Sequence, residues 1–203
     1  VSLIFNETKG LNNFSAVFKK GKKYLVVGES GSGKSTLLNI ISGMYDEYDG
    51  EVMIEDEELK QVERNSLSHL VSLASQEVFL FNDTIRNNIT LYREYSDEKI
   101  HNVLKQCGLE NLIQELPDGL DTLVGENGSN FSGGEKQRIN LARAFIRDSK
   151  ILLLDEVSAN LDSVTTDFIE RTVLALEGKT VISVAHKMPE KLAELYDEVI
   201  RVG

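Results

Sequence analysis

Cysteine is nearly absent from the sequence, because Cys107 is the only one among 203 residues. A single cysteine excludes a disulfide within the chain, which fits a reducing compartment. Cys107 continues an apolar stripe of Ile100, Val103 and Leu104 at helical spacing. We therefore expect it to pack in a hydrophobic core rather than to react.

The sequence also lacks an excess of positive charge, since 22 Lys and Arg residues stand against 33 Asp and Glu, for a formal net charge of -11. This balance argues against nucleic acid as the main partner, because nucleic-acid binding usually needs a basic surface. It also gives no general attraction to an anionic membrane.

Long apolar runs are missing as well. No run approaches the length of a membrane span, and no signal peptide is present. Internal repeats and low-complexity linkers are absent too. The chain starts at Val1, directly in strand-like sequence, so we expect a domain from a longer protein.

Strand and helix patterns alternate along the chain, which predicts an α/β fold with a mainly parallel sheet and flanking helices. Buried strands are predicted at 24–27, 151–154 and 180–184, with further strands at 1–5, 13–18, 51–54, 67–74 and 198–202. The first strands would form an antiparallel edge at the N-terminus. Helices are predicted at 34–42, about 162–176 and about 189–195, and Asp162 or Ser163 can cap the second of these.

Residues 84–147 have a helical pattern, in which Ser96 is a plausible helix cap. They predict a helical subdomain inserted into a single domain of residues 1–203. The remaining core lobe would comprise about 1–83 and 148–203.

One stretch fits the phosphate-loop pattern G-x-x-x-x-G-K-[ST] between a predicted strand and a predicted helix, the context that the pattern requires. It consists of Gly28, Glu29, Ser30, Gly31, Ser32, Gly33, Lys34, Ser35 and Thr36. Glycines let the backbone approach an anion, and the free N–H groups at a helix start can cradle phosphate. Lys34 can reach the outer phosphates and Ser35 can bind Mg²⁺, so the stretch predicts the nucleoside triphosphate site of a P-loop NTPase. The alternative is a glycine-rich turn with a surface lysine.

Two carboxylates follow the apolar strand at 151–154. Asp155 can hold Mg²⁺, and Glu156 can orient and deprotonate a water molecule. Side chains at the carboxyl end of a parallel strand face the ligand crevice. The alternative is that both residues simply begin a surface loop.

Other candidate site residues are weaker when taken singly. The stretch Ser132, Gly133, Gly134 and Glu135 could form a second anion cradle at a helix start, or merely a helix-entry turn. Gln76 could coordinate Mg²⁺, or be an ordinary surface glutamine. His186 could contact a γ-phosphate, or be structural. Asp162 could line the site, although helix capping is the safer interpretation.

Taken together and in order, these motifs resemble the ATPase domain of ATP-binding cassette (ABC) transporters. The matching segments are 28–36 (Walker A), Gln76 (Q-loop), 131–138 (signature), 151–156 (Walker B), 158–162 (D-loop) and His186 (switch histidine). The resemblance covers essentially the whole chain. Segments 76–89 and 119–126 resemble the Q-loop region and x-loop of exporter-type domains, which face the membrane domain in that family.

Departures from the family pattern are few. Phe131 stands where leucine is commoner, Glu135 where glutamine is frequent, and Ala159 where serine is common. Phe5 is the candidate aromatic for stacking on adenine, where tyrosine is usual, or else it is a strand residue of the core.

The resemblance implies binding and hydrolysis of ATP with Mg²⁺, with Lys34, Gln76, Glu156 and His186 in catalytic roles. It implies a head-to-tail dimer in which residues 132–135 of one copy close the site of the other. The partner would be the transmembrane domain of an exporter, placing the chain at the cytoplasmic face of a membrane, although soluble when isolated.

Two alternatives come from the same family. One is an ATPase subunit of an importer, which the segments after Gln76 and before Phe131 disfavour. The other is a soluble ABC ATPase of DNA repair or translation, which the acidic charge and the lack of a coiled-coil insertion between Lys34 and Ser132 disfavour. A nucleotide-binding module without turnover is disfavoured by the presence of Glu156 and His186.

Overall fold

A computed structural model describes residues 2–5, 9–159, 161–186 and 188–203. The chain separates into two compact units. The first contains Val1–Leu73, Ser149–Glu156 and Leu176–Gly203, and the second contains Ala74–Asp148 and Val157–Ala175. The lobe boundaries expected from sequence stay a prediction.

Nine strands and eight α-helices are formed by the described residues. The strands are β1 Leu3–Phe5, β2 Lys9–Leu11, β3 Lys23–Val27, β4 Met53–Ile54, β5 Glu57–Glu58, β6 Val71–Ala74, β7 Ile151–Asp155, β8 Thr180–Ala185 and β9 Glu198–Arg201. The helices are α1 Lys34–Ile41, α2 Arg64–Leu70, α3 Ile85–Thr90, α4 Asp97–Gln106, α5 Glu110–Glu115, α6 Gly133–Phe145, α7 Ser163–Leu174 and α8 Glu190–Ala193.

The main sheet has the strand order β6-β7-β8-β3-β9. β3 is parallel to β8 and to β9, and β7 is parallel to β8. β3 and β8 are almost entirely buried, which explains their continuous apolar sequence. The α/β class with a mainly parallel sheet and an antiparallel pair, β1 with β2, is therefore confirmed.

The core of the first unit forms where helix α1 packs against the sheet. Leu37, Leu38, Ile40 and Ile41 of α1 are buried in one apolar cluster with strand residues such as Val26 and Ile182. Their spacing gives α1 one apolar face, and burial of that face fixes the end of the phosphate loop from which the helix starts.

Two strand predictions were wrong in this unit. The strand expected at 13–18 is found at Lys9–Leu11 instead, and the chain turns at Asn13, which has φ of 46°. The strand expected at 67–74 begins only at Val71, because Arg64–Leu70 forms α2. Leu67 lies one turn into that helix and is buried in the same core. A buried leucine fits a strand pattern as well as a helix pattern, so the sequence did not separate the two.

The second unit is helical, as predicted for most of it. Ser96 caps α4 by accepting a hydrogen bond from the Lys99 N–H at 3.2 Å. Cys107 is fully buried, as expected, and this burial raises the pKa of its thiol. Asp162 caps α7 through hydrogen bonds from the N–H groups of Val164 and Thr165, both at 3.0 Å.

Membrane-spanning helices were searched for over the same described ranges. None of the helices there combines the length and apolarity that crossing a bilayer requires.

Candidate active site

The carboxyl ends of three neighbouring strands meet at one edge of the main sheet. Val27 of β3 lies opposite Ala185 of β8, and Asp155 of β7 lies opposite Val184. The residues that follow are therefore Gly28, Glu156 and His186, three of those expected from sequence. Parallel register thus brings the start of the glycine loop, the predicted base and the predicted histidine to the same edge.

The glycine loop is shaped by close contacts that leave no room for side chains. A Cβ on Gly28 would clash with the carbonyl of Val202. Gly33 has φ of 95°, and a Cβ there would lie 2.7 Å from the Gly10 carbonyl oxygen. Glycine is therefore required at both positions by the backbone conformation and the packing of the loop.

Helix α1 starts at this loop without a side-chain cap, since its N-cap residue is Gly33. The first N–H groups of an α-helix have no partner within the helix, and the helix dipole adds partial positive charge there. This helix start is accordingly suited to bind an anion such as phosphate.

The Lys34 side chain is turned back onto the loop. It is only 5% exposed, and its Nζ donates to the carbonyl oxygens of Gly28 at 2.9 Å and Glu29 at 2.8 Å. A buried ammonium needs such partners, because an unpaired buried charge is costly. The Lys34 ammonium group therefore lies at the loop, where a bound phosphate could replace the two carbonyl oxygens as its partner.

The Ser35 hydroxyl, in the first turn of α1, is hydrogen-bonded to the carboxylate at the end of β7. The Ser35 Oγ donates to Asp155 Oδ1 at 3.0 Å, and Asp155 is only 7% exposed. Burial raises the pKa of Asp155 above its ordinary value and the nearby Glu156 charge adds to this, while the Ser35 hydrogen bond and Lys34 oppose it. A buried carboxylate beside a serine hydroxyl is a fitting oxygen-ligand pair for Mg²⁺, which would offset the cost of burying the negative charge.

Glu156 leaves the end of β7 with an unusual backbone conformation. Its φ is 49°, and its N–H donates to the Val184 carbonyl at 3.0 Å. A non-glycine residue in this region costs about 1–3 kcal/mol, and such strain concentrates at functional sites. His186 follows β8 and is exposed.

The predicted second cradle lies in the second unit, at the start of α6. The Ser132 Oγ accepts from the Glu135 N–H at 3.3 Å, and the Glu135 carboxylate accepts from the Ser132 N–H at 2.7 Å and from its hydroxyl at 2.8 Å. This reciprocal capping box fixes the helix start. A Cβ on Gly133 would meet nothing within 4 Å, so this chain does not itself require glycine there.

The remaining predicted site residues are distributed between the units. Gln76 and Asp162 belong to the second unit, together with Gly134, whereas Ser30 and Thr36 lie in the loop and helix start of the first. Phe5 ends β1, and its side chain lies outside what the structure describes. The site roles of all these residues stay predictions.

One cluster in the second unit was missed by sequence reasoning. Arg143 on α6 donates to the carbonyl oxygens of Asn88 at 2.8 Å and of Phe79 at 3.0 Å. Asn88 in turn exchanges hydrogen bonds with the backbone of Phe81. The signal was the polar Asn88 between the apolar Ile85 and Ile89, since a polar residue on a buried helix face needs a partner.

The comparisons with known proteins agree with this geometry. Residues 11–159 match the family described as "ABC transporter". The chain is 41% identical over 184 residues to the ABC-type transporter fsqE of Aspergillus fumigatus, covering 89% of this chain and 14% of that protein. It is 40% identical over 199 residues to the ATP-dependent lipid A-core flippase of Pectobacterium atrosepticum, covering 97% of this chain and 34% of the flippase.

A solved structure gives the same result in three dimensions. A bacterial Atm1-family ABC exporter with ATP bound superposes with a TM-score of 0.90 at 33% identity, over 100% of this chain and 36% of the exporter chain. The chain thus spans about a third of the flippase and of the exporter.

The family match covers well over half of the sequence, and the phosphate loop lies between β3 and α1. The chain therefore belongs to the ABC transporter family, as a nucleotide-binding ATPase domain of the exporter type.

Proposed function

We propose that this domain binds ATP with Mg²⁺ between loop 28–36 and the end of β7. The carrying observation is the hydrogen bond between Ser35 and the buried Asp155, 3.0 Å long, beside a lysine already held at the loop. In this proposal Lys34 and the N–H groups of the helix start bind the phosphates. Ser35, Asp155 and Gln76 hold Mg²⁺, which neutralises phosphate charge, and Phe5 stacks on adenine.

Hydrolysis in this proposal depends on the residues that follow β7 and β8. Glu156 accepts the proton of the attacking water, and His186 assists at the γ-phosphate. The left-handed backbone at Glu156 supports this role, because it directs the chain away from the strand immediately after Asp155.

A second copy of the domain completes the site. Residues 132–135 of one copy would contact the γ-phosphate of ATP held by the other, and Asp162 would lie at the same interface. The open space beside Gly133 supports this, since glycine there leaves room for an approaching ligand. ATP would join the two copies, and its hydrolysis would release them.

At the level of the whole protein, we propose that this cycle drives export of a substrate across a membrane. The longer relatives include an ATP-dependent flippase and an ABC exporter, of which this chain matches about a third. The rest of the protein would supply the transmembrane domain, with this domain at the cytoplasmic face.

A mixing experiment tests the composite site. Lys34→Ala removes a charged hydrogen-bond donor to phosphate and should weaken ATP binding about 10- to 100-fold. Ser132→Arg should leave ATP binding by a single copy intact but block the face that meets the partner. Each variant alone should release almost no phosphate.

Mixing the two variants should restore phosphate release. In a head-to-tail dimer of one copy each, one site combines an intact loop with an intact residue 132, whereas the other site carries both defects. Ser66→Arg, at an exposed serine on α2, is the matched control and should keep full activity. If the mixture stays as inactive as its components, the head-to-tail arrangement is wrong.

A further inference from the structure

Helix α6 contacts the backbone that follows β6 through a buried amide. Asn140 lies in the middle of this helix, between the buried Ile139 and Leu141, and is only 4% exposed. Its Nδ2 donates to the carbonyl oxygen of Ser75 at 3.0 Å. Both residues belong to the second unit. Because an amide buried without a partner is costly, this hydrogen bond explains how asparagine is accommodated at an otherwise apolar position.

The accepting carbonyl belongs to the peptide group that joins Ser75 to Gln76. A peptide group is planar, so a hydrogen bond to its oxygen also restricts its nitrogen, which is the backbone nitrogen of Gln76. Beyond Gln76, the carbonyl oxygen of Glu77 accepts from the Ser75 Oγ at 2.9 Å. The backbone is thus held on both sides of Gln76, and Asn140 supplies the contact that comes from another element.

A restraint at this point matters because Gln76 lies outside the sheet. β6 ends at Ala74, so strand pairing does not fix the backbone at Gln76. Mg²⁺ requires oxygen ligands in near-ideal octahedral geometry at about 2.0–2.1 Å. A ligand side chain whose backbone moves freely meets this requirement only part of the time. Groups that hold a metal ligand in place accordingly change metal affinity by about 10- to 100-fold.

A second buried amide on the same helix provides a contrast. Gln137 lies one turn before Asn140 and is also only 4% exposed. Residues three apart lie on the same side of a helix. Within the part of the chain that the structure describes, however, the Nε2 of Gln137 has no hydrogen-bond partner. Burial of an amide on this side of α6 therefore does not by itself produce a contact with the Gln76 segment, and the contact is particular to position 140.

We propose that Asn140 is a positioning residue for Gln76, because it fixes the peptide group from which the Gln76 side chain reaches the Mg²⁺ of bound ATP. The inference rests on the proposed function, in which Gln76 is one of the Mg²⁺ ligands. Asn140 acts through the Ser75 carbonyl rather than by touching ATP or the metal. Removing its amide leaves the phosphate loop unchanged, so it weakens only the part of ATP binding that depends on Mg²⁺.

Binding of a non-hydrolysable ATP analogue, measured with Mg²⁺ and with a chelator, tests this. Asn140→Leu keeps the branched shape of the side chain and removes the hydrogen-bond donor. Mg²⁺ should tighten binding about tenfold less in this variant than in the parent, while affinity in the chelator is unchanged. Gln137→Leu removes the other buried amide and is the matched control, with the same Mg²⁺ effect as the parent. An undiminished Mg²⁺ effect in Asn140→Leu, or an equal loss in Gln137→Leu, would overturn the proposal.

A double substitution separates positioning of Gln76 from any other role. Because Asn140 acts through Gln76, adding Asn140→Leu to Gln76→Ala should reduce the Mg²⁺ effect no further, whereas losses that multiply would contradict the inference. Asn140→Ala, which adds no bulk, should give the same results and replaces Asn140→Leu if that variant does not fold. If Gln76→Ala itself keeps the full Mg²⁺ effect, Gln76 is not a metal ligand, and this part of the proposed function falls together with the inference. If only Gln76→Ala reduces the effect, the inference alone is wrong.

Mixed dimers show in which copy Asn140 acts. In the mixture of Lys34→Ala and Ser132→Arg, the active site takes its loop and its Gln76 from the Ser132→Arg copy. Asn140→Leu in that copy should raise the Mg²⁺ concentration for half-maximal phosphate release about tenfold, and in the Lys34→Ala copy it should have little effect. Equal effects, or the reverse pattern, would mean that Asn140 acts through residues 132–135 and would overturn the inference. If the starting mixture is inactive, the composite site is wrong, and the binding measurement still decides the role of Asn140.

Discussion

The residues at the sheet edge show how burial prepares a site for charged ligands. Lys34 and Asp155 are both buried, and each is hydrogen-bonded to a neighbouring polar group, while the Lys34 charge also lowers the pKa of Asp155. Lys34 is held by two loop carbonyls, and a bound phosphate would have to replace these contacts. Asp155 has one hydroxyl partner and a raised pKa, so it gains from a cation more than an exposed carboxylate would.

At this scale, Glu156→Gln should abolish turnover without preventing nucleotide binding. General-base catalysis contributes about 10²–10⁴ in rate, so kcat should fall by that order. ATP affinity should be nearly unchanged, and an ATP-dependent dimer should accumulate. Phosphate release and size-exclusion chromatography measure both effects. The exposed Glu177→Gln serves as control, and near-normal hydrolysis by Glu156→Gln would disprove the assignment of the base.

Asp155→Asn should stabilise the nucleotide-free domain at neutral pH. Folding raises the pKa of Asp155 above 3.8. The folded protein therefore binds the proton of this carboxyl group more tightly than the unfolded chain does. Keeping the carboxylate ionised therefore costs stability above the folded pKa, and this cost disappears as pH falls toward 3.8. The variant should therefore melt at a higher temperature than the parent at neutral pH. This difference in melting temperature should shrink as the pH falls toward 3.8.

The same substitution should remove the extra stabilisation that Mg²⁺ adds to bound ATP, since an amide is a weaker ligand than a carboxylate. Melting curves with ATP, with and without Mg²⁺, measure this. Asp118→Asn, at an exposed position, is the control.

Equal melting temperatures for Asp155→Asn and parent across the pH range, without nucleotide, would show that burial of the carboxylate is not costly.

At the scale of single elements, α6 has two tasks within the second unit. Its start carries the Ser132–Glu135 capping box, and its later turns hold the segment that follows β6. Asn140 donates to the Ser75 carbonyl at 3.0 Å, one residue before Gln76. Arg143 holds Phe79 and Asn88 farther along, and burial lowers the pKa of its guanidinium.

Arg143→Ala should therefore destabilise the domain strongly. Its removal leaves backbone carbonyls of Phe79 and Asn88 without their charged donor, and such hydrogen bonds contribute about 1.5–3 kcal/mol each. We expect a loss of about 3 kcal/mol in the free energy of unfolding, measured by urea denaturation.

The matched control is Arg86→Ala in the same unit. The Arg86 side chain is 37% exposed and forms ion pairs with Asp97 at 3.3 Å and Asp121 at 3.5 Å. Such surface pairs contribute about 0–1 kcal/mol each, so the loss should be small. If the two arginines cost the same, the Arg143 cluster does not anchor the segment.

At the scale of the whole molecule, the composite site makes activity depend on association. Ser132→Arg places a bulky cation where the partner copy should bind, so the rate of phosphate release per molecule should stay low at every protein concentration. The parent should instead show a specific activity that rises with concentration. Normal hydrolysis by Ser132→Arg at low concentration would show that one copy is sufficient.

Much of the chemistry was predictable from local sequence. The phosphate loop, the acidic end of β7 and the caps at Ser96 and Asp162 depend on residue types at fixed short spacings, and such spacings are visible in a sequence. The three buried strands predicted at 24–27, 151–154 and 180–184 could be recognised because their continuous apolar runs are too short for a helix and are bounded by turn signals.

The sequence by itself thus determined the phosphate-loop pattern, the alternation of strands and helices and the family. Only the tertiary structure decided that 67–70 is helical, that Arg143 binds the backbone around Asn88, and that Asn140 binds the carbonyl of Ser75. The reason is physical. Each of these features depends on hydrogen bonds or packing between segments distant in sequence, and a local pattern of apolar residues is compatible with more than one such partner.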